Sequence, residues 1–115
     1  MADEAALAVF ARSDPEVRKL AGELIDRLSA EPATRVEPKG GSLHLCRRSA
    51  FAGLHPRKSA LLANLRTAAP IESDRIRKAE RVSANRFHNE LLIEPRKGLD
   101  DELLGWFAQA AALAE

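Results

Sequence analysis

Arg75, Arg77, Lys78, Arg81, Arg86 and His88 crowd into the stretch RIRKAERVSANRFHNE, residues 75–90, of a chain whose formal net charge is only +1. Guanidinium and ammonium groups at that density can hold phosphate or carboxylate through charge-assisted hydrogen bonds. A second constellation is His44 and Cys46, two residues apart and therefore on one side of a strand, with His88 available to join them as soft ligands for zinc or copper. No CxxC accompanies them, and a lone cysteine commonly packs as a small hydrophobe. Cys46, His44 and Glu90 can also be drawn as nucleophile, base and orienting group. The chain carries no G-x-S-x-G elbow and no cysteine-hydrolase signature to support that drawing. Asp100-Asp101 suits helix capping, and Gly40-Gly41 suits a hairpin and not a strand-to-helix phosphate cradle. The expectation is a non-catalytic domain with no metal and no cofactor.

These side chains must be positioned by helices and strands that the hydrophobic period makes visible. In SDPEVRKLAGELIDRLSAEP, Val17, Leu20, Ala21, Leu24, Ile25 and Leu28 recur at helical spacing and form one apolar stripe. Ser13 with Glu16 fits a capping box, and Asp14 as cap with Pro15 in the first turn fits equally well. Pro32 should end this helix. The preceding DEAALAVFA can form a short helix or fray. A closing helix follows Asp100 as N-cap, with Leu99 and Leu104 at staple positions and Leu103, Trp106, Phe107, Ala110 and Leu113 as its buried stripe.

Between the helices the period shortens to that of strands. TRVEPKGGSLHLCRR reads as two strands joined at a Pro-Lys-Gly-Gly-Ser turn. AFAGLHPRKSALLANLRT reads as another pair bent at His55-Pro56, and NRFHNELLIEP as a strand closed by Pro95. RIRKAERVS alternates poorly and can be a strand or a helical turn. The fold class predicted is α+β: an antiparallel sheet of about five strands, with the N-terminal and C-terminal helices packed on one face. Residues 1–115 are expected to form a single domain, since the length suits one core.

Composition sets further bounds. An apolar content of 45% beside 30% charged residues is that of a folded chain. No apolar run is long enough to span a bilayer. The start, MADEAALAVFA, carries acids where a secretory signal needs positive charge, and the one cysteine cannot form an internal disulfide. A cytoplasmic location is expected from both. Charge is uneven, however: residues 34–97 hold fourteen basic and six acidic side chains, a net of +8, between acidic ends. Such asymmetry points to anionic partners.

Strand alternation turns this into geometry. Leu43 and Leu45, Leu61, Ala63 and Leu65, and Phe87, Leu91 and Ile93 should face the helices. His44, Cys46 and Arg48, Leu62, Asn64 and Arg66, and Arg86, His88, Glu90 and Leu92 should face away. The mixed character of that second face suits a ligand or another chain. Glu80, Glu90 and Glu94 interleave with the basic residues and give simple solvation as the competing account. Stacking on nucleic acid would need exposed aromatics, and only Phe51 and Phe87 lie nearby, with Phe87 expected to point inward.

The order SDPEVRKLAGELIDRL, FAGLHPRK, LLANLR, ESDRIRKAERVSANRFHNELLI and LDDELLGWFAQAAALA resembles the bacterial family catalogued as domain of unknown function 5655, over nearly the whole chain. The resemblance implies a small α+β module, found alone or appended to other domains, some members being labelled predicted transport proteins. Residues matching its recurring pattern are Phe51, Pro56, Lys58, Arg75, Arg86, Phe87, Asp100, Glu102 and Trp106. Members usually carry one or two histidines in the strand that here contains His88. With Lys58 added, the expected ligand-binding residues are Arg48, Lys58, Asn64, Arg66, Arg86 and His88. The expected partner is an anionic ligand, an acidic protein surface or a second copy of the chain, without a membrane. A nucleic-acid-binding module is the alternative.

Overall fold

The computed structural model describes residues 4–31 and 33–114. In chain order the elements are α1 (Glu4–Ala8), α2 (Pro15–Leu28), β1 (Arg35–Lys39), β2 (Ser42–Cys46), β3 (Ala50–Pro56), β4 (Leu61–Thr67), β5 (Lys78–Ser83), β6 (Arg86–Ile93) and α3 (Asp101–Leu113). The class is α+β, with a six-stranded antiparallel sheet in the order β1-β2-β3-β4-β6-β5. Among the described residues no helix is long and apolar enough to cross a membrane.

The sixth strand comes from the segment that the pattern left open between strand and helical turn. Within RIRKAERVS, residues 78–83 form β5 at the sheet edge with every residue exposed. A strand wetted on both sides has no reason to alternate, so its period is silent.

For the hairpin turn and the inward leucines the pattern and the structure agree. The Gly40-Gly41 turn closes β1 onto β2 with Lys39 opposite Ser42. Gly40 takes φ +60 and Gly41 does not adopt positive φ, as in a type II′ turn. Leu43, Leu45, Leu61, Ala63, Leu65, Leu91 and Ile93 all join one buried cluster with Leu24 of α2 and Phe107 of α3. Phe87, expected to point inward with them, is half-buried and does not join that cluster. Asp100 caps α3 by accepting from the Leu103 N–H, with Leu99 and Leu104 packed against the core. The stripe of α3 is Leu103, Phe107, Ala110 and Ala111; Leu113 is 39% exposed and turns outward.

At α2, Asp14 is the cap and Pro15 opens the helix, without a side-chain capping bond. The Ser13 hydroxyl donates instead to the Arg57 carbonyl at 2.7 Å, so the alternative capping box does not form. Pro32 lies outside the described residues.

The connection from β4 to β5 passes over β6 on the helix side, and two side chains hold it there. Asn89 of β6 is fully buried. Its amide donates to Leu65 O at 3.1 Å and to Thr67 Oγ1 at 2.8 Å, and accepts from the Ile71 N–H at 2.9 Å. Arg75 then ties the connection to α3, donating to both carboxylate oxygens of Asp100 and to Glu102, with its guanidinium 5.5 Å from the Trp106 ring centroid. Arg75, Asp100, Glu102 and Trp106 thus meet in one strut.

Candidate functional site

The sheet face turned away from the helices is assembled by the residues that the core leaves out. Register places Glu37, His44, Gly53, Asn64, Glu90 and Lys78 in one row across all six strands. Beside that row Arg66 stands opposite His88, which stands opposite Glu80. On the other flank His55 faces Leu62, and Leu62 faces Leu92.

Gly53 leaves a gap in the middle of this surface. Around it stand His44, His55, Asn64, Arg66 and His88, lining a notch of about 80 Å³. A Cβ built on Gly53 would come within 3.2 Å of His55 Nε2, so the missing side chain lets the imidazole lie back along its own strand. All three histidines of the chain are therefore gathered at one spot.

Two polar groups define what the notch can accept. Arg66 Nη1 donates to Ala50 O at 3.0 Å, which fixes the guanidinium while the rest of its donor fork has no partner among the described residues. Asn64 Oδ1 is buried and, among the described residues, is the one buried side-chain oxygen or nitrogen without a hydrogen bond. A buried acceptor left unpaired costs about 1–3 kcal/mol, so a donor arriving there recovers what folding gave up.

His55 and His88 are held toward neutrality. Burial lowers the His55 pKa below its ordinary value, and Arg57 and His44 push the same way against Glu90. Burial likewise lowers His88, with Arg66 adding to it and Glu80 opposing. No set of three or more His, Cys, Asp or Glu side chains among the described residues is placed to hold a metal ion.

Much of the basic charge is answered locally. Arg35 pairs with Glu37 at 3.2 Å, Lys78 with Glu80 at 3.2 Å, and Arg96 with Glu94 at 3.6 Å. These one-to-one pairs leave the net +8 of the middle segment in place; Arg66 is the arginine that lines the notch.

Of the six expected contact residues, Asn64, Arg66 and His88 come together. Arg86 stands at the β5–β6 turn, exposed and folded onto the Asn85 carbonyl. Arg48 lies past the end of β2, where alternation no longer applies, and its backbone N–H donates to Ala114 O beside the C-terminus of α3. Lys58 is in the β3–β4 loop, where its carbonyl accepts from the Asp14 N–H. Leu62, expected to be exposed, is 7% exposed, leaving Leu92 as the open apolar residue of that face.

Phe51, named as an aromatic near the basic residues, is buried in the core. Register slips between Leu45 and Cys46, which pair with Ala52 and Ala50, so Phe51 is the extra residue of a β-bulge. The bulge brings Phe51 into the same core as Ala52, where it is 1% exposed. Among the described residues no Phe or Trp lines the notch.

Sequence reasoning weighs His44 as a metal ligand or a paper triad's base and His55 only as a turn residue, and gives Gly53 no role. The available signal was parity. Residues 53 and 55 share a face, and that face meets 44 and 64 once β3 is centred between β2 and β4.

Comparison of the chain with family models, curated proteins and solved structures finds no match.

Proposed function

We propose that this chain is a non-catalytic binding module whose recognition surface is the helix-free sheet face centred on Gly53. The partner is an acidic segment of another protein. Its carboxylate would pair with Arg66, and a backbone N–H would satisfy Asn64 Oδ1. The observation that carries the reading is the unpartnered Asn64 oxygen beside a half-engaged guanidinium. A peptide is the ligand class that supplies donor and anion a few ångströms apart.

Cys46 supports a non-catalytic reading. Burial raises its pKa and Glu37 raises it further, against Arg35, Lys39 and Arg66. A thiol held protonated is a poor nucleophile. Nucleic-acid binding is disfavoured by the burial of Phe51 and by the paired basic residues. The resemblance to the bacterial domain family fits a small binding module, and membership in that family is part of the proposal.

The test is an amide-shift titration with short blocked peptides carrying Asp or Glu, against their Asn and Gln counterparts. Saturable shifts at Asn64, Arg66 and His88 for the acidic peptides alone are expected, lost in Arg66→Gln and Asn64→Leu. Equal responses to both peptide sets, or none, would refute the reading.

A further inference from the structure

At one end of the sheet, on the helix side, a larger hollow opens that the histidine notch does not share. It has a volume of about 740 Å³ and lies between the end of α1, the α1–α2 turn, the β1–β2 hairpin and the β3–β4 loop. We propose that this hollow is a second binding site, for a small soluble amphiphilic anion: a phosphate monoester or carboxylate with a short apolar body.

Its charge is of one sign. Arg12, Arg57 and Lys58 line it, and no Asp or Glu does. None of the three forms an ion pair with a described residue, in contrast to Arg35, Arg75, Lys78 and Arg96 elsewhere on the chain. Unanswered cations converging from separate elements attract an anion more strongly than the same charges dispersed.

Its wall is apolar. Val9, Pro38 and Pro56 line the hollow together with the cations. This arrangement distinguishes an amphiphile from inorganic phosphate, because the body of the ligand gains by covering that wall.

Its frame is held in advance of any ligand. The Ser13 hydroxyl donates to Arg57 O at 2.7 Å and the Asp14 N–H to Lys58 O at 2.8 Å, lashing the β3–β4 loop to the α1–α2 turn. The loop itself closes through Arg57 N–H to Ala60 O at 3.1 Å. Ser13 is buried although serine usually lies at the surface, and this tie gives it a purpose. A bilayer is not the source of the ligand: Val82, Leu92 and Leu113, the exposed large apolar residues of the described chain, all lie off the hollow.

The experiment is a two-dimensional amide-shift titration of the full chain with hexyl phosphate, inorganic phosphate and hexanol in turn. Hexyl phosphate should give saturable shifts at Val9, Arg12, Gly40, Gly41 and Lys58, and bind about tenfold more tightly than inorganic phosphate. Arg12→Gln and Lys58→Gln should each weaken it by about tenfold, as expected for losing one charge-assisted contact. Gly41→Leu offers a separate check, because a Cβ there meets nothing within 4 Å and the backbone is not in the positive-φ region. That variant should keep its unfolding midpoint and lose binding. Hexanol shifting the same amides equally, hexyl phosphate shifts centred on Asn64 and His88, no saturation, or intact binding in Gly41→Leu would each overturn the proposal.

Discussion

Asn64 and Asn89 lie on neighbouring strands of the same sheet and point to opposite sides of it. Asn89, beneath the β4–β5 connection, has both ends of its amide engaged: its nitrogen donates to Leu65 and Thr67, and its oxygen accepts from the Ile71 N–H. Asn64, one residue off in register, has a buried oxygen with nothing to receive. The same side chain is a structural clip in one place and an open acceptor in the other. What separates them is the backbone that passes overhead. Completed polar networks mark where the chain holds itself together, and incomplete ones mark where it can meet something else.

The sharpest way to break this contrast is to remove both amides. Asn89→Leu should cost about 2–4 kcal/mol in urea unfolding, because a carbonyl, a hydroxyl and an N–H lose their partner inside the protein. Asn64→Leu should leave stability unchanged or raise it by up to about 1 kcal/mol, since it deletes an orphan. Equal costs for the two would end the distinction.

Arg75→Ala probes the second fastening of the same connection. It removes bonds to Asp100 and Glu102 and the contact with Trp106, at a site partly open to water. A loss of about 1 kcal/mol is expected, read as an unfolding midpoint, and 0.5 M salt should shrink it. Gly53→Ala acts on the open face instead. His55 must swing aside, the notch narrows, and stability should move by less than about 1 kcal/mol while acidic-peptide binding falls at least about tenfold.

Acidification gives the smallest effect. The folded pKa values of His55 and His88 lie below the ordinary histidine value, so between them the unfolded chain binds more protons. Their contribution is fully present above about pH 6.5 and is lost as pH falls from there through the folded values. The double variant His55→Gln with His88→Gln should flatten that part of a stability–pH curve.

Legibility in the sequence followed burial. The stripes of α2 and α3 and the inward leucines of β2 and β4 were readable because one side of each element meets the core and the other meets water. β5 was not, because it is wet on both sides. Within the site, Asn64, Arg66 and His88 followed from alternation alone. Arg48 failed because its strand stops at Cys46, and the burial of Phe51 went unread because a bulge adds a residue that no two-residue period anticipates. His55 was masked by the proline after it, which suggested a bend where the strand in fact continues to Pro56. Asn89 has the parity of Leu91 but the polarity of a surface residue, and only the chain passing over it explains its burial.

The strand order β4-β6-β5 also has a bearing on how the molecule comes into being. A ribosome releases β4 well before β6, so until residue 93 emerges the growing chain displays a bare row of amides and carbonyls along β4. That interval is when stray pairing with a neighbouring nascent chain threatens most. In the folded chain the hairpin β5–β6, with lysine, arginine and glutamate on its exposed outer strand, covers that vulnerable border.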